Sequence, residues 1–333
     1  MRGFIRCVLR SLAALSAAAA AVRPGAASCG SATCFLVTHT AEGVETAGAF
    51  QLDFSYRYVD QTRKLDGSDG TSEVLVPKID FEGGVIEPDH HREVSTRNTL
   101  VELDLAYGVT SRISVFGLLS LLVDKDHEHF DEVGTPEEHF TNSDGMRGFG
   151  DVALGARYAF LVKANDLLIG SAAVKLPSGA YKLLDGEGAI NEPTLQPGTG
   201  SYDGLLSLYY VRHTFPSAFE WFVSGSGRFN EENSLDYRIG NEIVGTGGVS
   251  YSAGQRWVFS VQANARHTGR DAYLGAGVPS TGYDSISLSP GARFRTGDRL
   301  ELYAYVQVPV YQNVNEAQLA PRSGFVVGVT KSF

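Results

Sequence analysis

The sequence predicts an all-β fold, a single closed antiparallel transmembrane β-barrel of about twelve strands, and three observations carry that reading. Period-two segments bounded by turn residues recur along most of the chain. Their connections alternate between short and long, as when one barrel end carries tight turns and the other carries extended loops. The last segment, Ser323 to Phe333, sets Phe325, Val327, Val329 and Phe333 against Val326, Gly328, Thr330 and Ser332. An open sheet would expose that strand as an adhesive edge, whereas a barrel pairs its last strand with its first.

Residues 1–28 read as a secretory leader. Arg2, Arg6 and Arg10 precede an Ala-rich apolar run at 11–22, which Arg23-Pro24-Gly25 interrupts before Ala26-Ala27-Ser28. That run is shorter than the roughly 20 residues of a membrane helix. Without the four leader arginines the chain keeps 24 basic against 38 acidic groups, a net charge of −14. Nucleic acid is therefore excluded as a partner, because it demands a basic face. Residues 29–48 form a short periplasmic segment and 49–333 the barrel. Cys29 and Cys34, in Cys-Gly-Ser-Ala-Thr-Cys, leave three roles open: a disulfide loop in an oxidising envelope, a redox or metal role, and Cys29 as a lipid-anchored first residue.

Candidate strands fall at about 49–59, 93–107, 112–124, 149–162, 167–176, 202–214, 219–230, 238–253, 256–267, 284–296, 299–311 and 323–333. Short connections at Gly108–Ser111, Lys163–Asp166, Phe215–Ala218, Gly254–Gln255 and Gly297–Asp298 define the periplasmic end. The longer ones, such as 60–92, 125–148 and 177–201, define the outside. In 256–267, Trp257, Phe259, Val261, Ala263 and Ala265 alternate with Arg256, Ser260, Gln262, Asn264 and Arg266. The apolar set is expected to face lipid and the polar set the lumen. A soluble β-sandwich uses the same alternation but leaves the leader and the loop asymmetry unexplained. Strands 112–124 and 202–214 alternate less cleanly and direct Phe116, Leu118 and Leu122 inward. The 15 Tyr, 18 Phe and 2 Trp suit interfacial girdles.

Inward-facing charge is mixed. Asp53, Glu102, Asp104, Asp151, Glu220 and Glu301 stand against Arg57, Arg157, Lys175, Arg228, Arg266, Arg293 and Arg295. Mixed signs predict a charge-paired interior rather than a strongly ion-selective hole. These charges, with Phe116 and Tyr209, are the candidate lumen path for a small-molecule solute; the plainer reading is that they brace a narrow barrel.

Two short motifs add a family likeness. Gly148-Phe149-Gly150-Asp151-Val152, leading to Arg157-Tyr158, is followed one hairpin later by Lys175-Leu176-Pro177-Ser178-Gly179. Together they resemble the outer-membrane family named for the meta-pathway of phenol degradation, with Ser178 where that family usually has Thr. The resemblance implies transporters of the FadL and TodX type that pass hydrophobic or aromatic compounds. It also implies location in the bacterial outer membrane, in contact with its lipid. Phe333 resembles the signal read by the barrel-assembly machinery, which makes that machinery an expected partner.

Five of eight histidines, His90, His91, His127, His129 and His139, fall in two outside loops. Extending the 93–107/112–124 pairing outward sets His91 opposite His127 or His129. Asp89, Asp126 and Glu128 are close in sequence. Neutral imidazoles suit zinc or copper, so His91, His127 and His129 are candidate ligands; a solvated acidic loop is the plainer alternative. No Gly-x-Ser-x-Gly elbow or phosphate-cradling loop occurs, so no enzyme is expected. Two functions remain: a channel for passive uptake of small hydrophobic or aromatic solutes, or a surface protein that captures metal above a closed lumen.

Overall fold

The computed structural model describes residues 43–214, 217–297 and 299–333; the leader and the Cys29/Cys34 pair lie outside the described residues. Twelve long strands run in chain order: β1 Phe50–Gln61, β2 Val85–Gly108, β3 Ile113–Asp131, β4 Val152–Val162, β5 Asp166–Leu176 and β6 Asp203–His213. The second half continues with β7 Phe219–Asn230, β8 Glu242–Ala253, β9 Trp257–Thr268, β10 Tyr283–Arg295, β11 Leu300–Val314 and β12 Ser323–Ser332. Each pairs antiparallel with its neighbours in sequence. Closure comes from β1 against β12, in register from Gln51↔Ser332 to Asp60↔Ser323. The Phe333 amide continues that ladder by donating to the Phe50 carbonyl at 2.8 Å.

The barrel is apolar outside and polar inside, as the alternation requires. Phe54, Leu154, Phe259, Val261, Leu288 and Val308 are exposed on the outer surface. Asp53, Asp104, Arg157, Gln262, Asn264 and Ser289 are buried within. Aromatic rings gather at the short-turn end, where Trp257 contacts Phe294 at 4.6 Å and Phe219 contacts Tyr251 at 5.0 Å. Amphipathic rings favour that interfacial level. One sector of the interior is filled: Tyr303, Tyr305 and Val326 form a buried cluster behind β11 and β12. Gly291 makes this packing feasible, because a Cβ there would stand 2.0 Å from the Tyr305 ring.

The strands differ from the sequence expectation in extent, continuity and parity, each for a local reason. β2 and β3 extend far beyond 93–107 and 112–124, because Leu75–Asp80 and His139–Thr141 pair with their outer halves. At ~3.3 Å per residue the 24 residues of β2 reach ~80 Å, whereas a membrane strand needs about 9–11 residues. The outer part therefore stands clear of the bilayer. The expected strand 238–253 breaks after Arg238, where the Gly240 amide donates to Asp271 Oδ1 at 2.9 Å instead of to a neighbouring strand. Finally, Val101 pairs with Leu122 but Glu102 with Ser120, so Leu121 is an extra residue. This bulge reverses the side-chain parity. Val123, not the expected Leu122, then lines the interior, while Phe116 and Leu118 point inward as read.

Candidate functional site: the lumen and its outer mouth

A cavity of about 270 Å³ occupies the sector of the lumen opposite the tyrosine cluster. Leu100, Phe116, Leu118, Val123, Ile169 and Tyr209 give it an apolar wall. Asp53, Arg57, Glu102, Asp104, Arg157, Lys175 and Arg228 also line it, as does Asp151. The remaining sequence candidates lie elsewhere. Arg266 pairs with Glu242 at 3.4 Å near the outer end. Arg293 and Arg295 share Glu301 at 3.4 and 2.9 Å, and Glu220 meets His213 at 2.7 Å; these five sit toward the periplasmic rim.

The lining charges are matched within the wall. Arg57 Nη2 donates to Glu102 Oε1 at 3.1 Å, and Asp53 accepts from Tyr303 Oη at 2.7 Å. Arg157 is a hub: its guanidinium donates to Asp104 at 3.2 Å and lies 4.3 Å above the Phe116 ring. It also stands 3.8 Å from Glu45, so the segment before β1 reaches the lumen. Glu45 was invisible as a site residue in the sequence, since its segment has no periodicity.

The two glycine-rich motifs meet at the outer mouth. Lys175 Nζ donates to Asp151 at 2.7 Å and to the Ser201 carbonyl at 3.0 Å, and is 2.9 Å from Asp203. Asp151 also accepts the amides of Gly179 at 2.9 Å and Thr199 at 3.0 Å. Ser178 Oγ accepts the Val152 amide at 2.8 Å, the role of a hydroxyl rather than of a threonine methyl. A Cβ on Gly198 would stand 2.6 Å from the Gly179 backbone, so only glycine permits this crossing. The knot draws the segment 177–202 across the mouth, where Pro193, Thr194, Gln196, Pro197 and Thr199 line the cavity. Lys125 Nζ donates to the Thr194 carbonyl and helps hold it there. Lys125, Thr199 and Asp203 were missed from sequence, although Asp203 had the inward parity that could have flagged it.

The family described as "Putative MetA-pathway of phenol degradation" matches residues 89–317, which include both motifs, nine whole strands and most of a tenth. The chain belongs to this family. An outer membrane channel from Pseudomonas putida F1 has a similar structure, with a TM-score of 0.61 at 13% identity, covering 90% of this chain and 100% of that one. That likeness shows the fold, an outer-membrane barrel. The toluene transporter TbuX of Ralstonia pickettii is more distant, with a TM-score of 0.41, 11% identity and coverage of 87% of this chain and 90% of that one. A comparison with curated proteins found no match. Membership in the family and closure of the sheet place the chain in the outer membrane.

Above the membrane, the histidines of β2 and β3 form a buried row. Ring centroids are 4.8 Å apart for His90–His91, 4.5 Å for His91–His129 and 4.7 Å for His127–His129. The register sets Glu93, not His91, opposite His129, because the hairpin pairs Gly108 with Ser114 and so carries the ladder further along than a turn centred near Val109 would. Asp126 and Glu128 point away, bonding Arg97 at 3.0 Å and Ser95 at 2.7 Å. Carboxylates that meet the row include Asp131 and Glu192 at His91, and Glu93 at 3.7 Å from His127 Nε2. Burial alone would lower the His91 imidazole, but hydrogen bonds to Asp131 and Glu192 outweigh it and raise its pKa to about 10. Burial lowers His127 to about 3 and His129 to about 4, so both are neutral.

Proposed function

We propose that the protein is a passive channel for small hydrophobic or aromatic solutes, and that the 270 Å³ cavity is a station on their path. The observation that carries this reading is the composition of the wall. Arg57, Arg157 and Lys175 face the cavity and each is within reach of a carboxylate, while Leu100, Phe116, Leu118, Ile169 and Tyr209 form an apolar surface. Paired charge lowers the penalty for an apolar solute and holds few ions. Apolar cavities of about 150 Å³ already admit benzene, so a single ring with one hydroxyl fits this space. The family description, with its link to phenol degradation, supports the same solute class.

The test is flux. Proteoliposomes containing the full chain are expected to take up phenol faster than protein-free liposomes in a stopped-flow assay. Filling the cavity by Ala173→Trp is expected to abolish the difference. Equal uptake with and without protein would end this reading.

A further inference from the structure

We propose that His90, His91 and Asp131, beside the buried His129, bind one divalent cation of the zinc class on the outside of the barrel. One ligand atom from each of the first three residues lies within 4.8 Å of the others. Both imidazoles converge on a single oxygen: His90 Nδ1 is 2.9 Å and His91 Nε2 is 3.0 Å from Asp131 Oδ1. Lys78 approaches the other oxygen, Oδ2, at 3.9 Å and leaves Oδ1 to the histidines.

The far nitrogens make the case stronger. His91 Nδ1 is 2.9 Å from Glu192 Oε1, while His90 Nε2 is 3.5 Å from Glu87 and 3.4 Å from Glu132. A carboxylate behind the non-ligating nitrogen is the outer shell that orients metal-binding histidines and raises their basicity. Two imidazole nitrogens and one carboxylate oxygen match zinc's preferences, the cation displacing the proton that His91 otherwise holds.

Two independent features point to an occupant. His129 is 2% exposed, yet among the described residues neither ring nitrogen has a hydrogen-bond partner, and Asp144 stands 3.5 Å from Nε2 outside bonding geometry. His90 Nδ1 is likewise buried without a hydrogen bond, despite its closeness to Asp131. Buried polar atoms rarely remain unpaired. In addition, a cavity of about 10 Å³ lies among His91, His129, Asp131, Asp144 and Glu192, about the room one small ion or water takes.

The site is joined to the lumen through chain continuity. Glu192 directly precedes Pro193 and Thr194, which line the solute cavity. A bound cation fixes His91, and through it the position of this segment. The binding itself does not rest on the channel reading, since its test reads metal and not flux.

The experiment is isothermal titration of zinc into EDTA-stripped, detergent-solubilised full-length protein. One saturable equivalent is expected. His90→Ala with His91→Ala is expected to weaken binding at least ~100-fold, and Glu192→Gln ~10–100-fold, as for other outer-shell partners. His139→Ala, which probes the alternative Asp131–His139–Glu187 group through its exposed histidine, is expected to change nothing. Heat-modifiability on gels checks that each variant folds; if the double variant does not, Glu192→Gln carries the comparison. Absence of saturable binding by the unaltered protein overturns the proposal. So does affinity left unchanged by the double variant or by Glu192→Gln, or binding that His139→Ala removes.

Discussion

Lys175→Met removes the cation at the centre of the outer knot while keeping most of the side chain's volume. Lys175 is the ammonium between Asp151 and Asp203, at 2.7 and 2.9 Å, and Asp203 is fully buried. Removing one partner of such a buried pair costs about 3–5 kcal/mol, because the remaining charges are left uncompensated. At 1.4 kcal/mol per tenfold, that shifts the docked-to-released ratio of the mouth segment by a factor of ~10² to several thousand. The far part of the segment keeps its own anchors, His91 to Glu192 at 2.9 Å and Asn191 to the Asp144 carbonyl at 2.6 Å. Release is therefore confined to about residues 197–202. The expected result in planar bilayers is a larger single-channel conductance for Lys175→Met than for the unaltered protein. Limited proteolysis between Pro197 and Tyr202 accompanies it. Adding Asp203→Asn removes one uncompensated charge and returns part of the original behaviour. Unchanged conductance together with unchanged protease resistance would refute this account of the knot.

Other perturbations follow from single contacts. Arg157→Gln leaves Asp104 and Glu45 without their shared cation; reversal potentials in a KCl gradient are expected to move toward cation preference. Gly291→Ala places a Cβ 2.0 Å from the buried Tyr305 ring, and such overpacking costs about 1–3 kcal/mol. The expected sign is a lower temperature for loss of heat-modifiability on gels. Phe116→Ala removes the ring under the Arg157 guanidinium and enlarges the cavity, so uptake of two-ring solutes is expected to rise relative to phenol.

The barrel was legible because its physics is periodic. Lipid outside and water inside impose the alternation seen in β9, from Trp257 to Arg266, and nothing interrupts it. Charge pairing was also foreseeable: Arg57 with Glu102 and Arg157 with Asp104 are inward residues of opposite sign on adjoining parts of the wall. Three things were hidden. The bulge at Leu121 changes parity without any glycine or proline to announce it, so Leu122 and Val123 exchange faces. Packing decides which inward residues line free space: Tyr303 and Tyr305 fill the interior on the strand beside Arg293, which does not line the cavity. The histidine row depended on long-range partners: Asp131 lies some 40 residues from His91, and Glu192 comes from a different loop altogether. Local spacing put His127 and His129 on one face correctly but paired them with the wrong acids.

The most direct measurement of the central claim is the anomalous diffraction of crystals soaked in 4-bromophenol. Passage through the lumen predicts a bromine peak between Phe116, Ile169 and Tyr209, inside the cavity these residues bound. Bromine confined to the lipid-facing surface, with the cavity holding only ordered water, would contradict it.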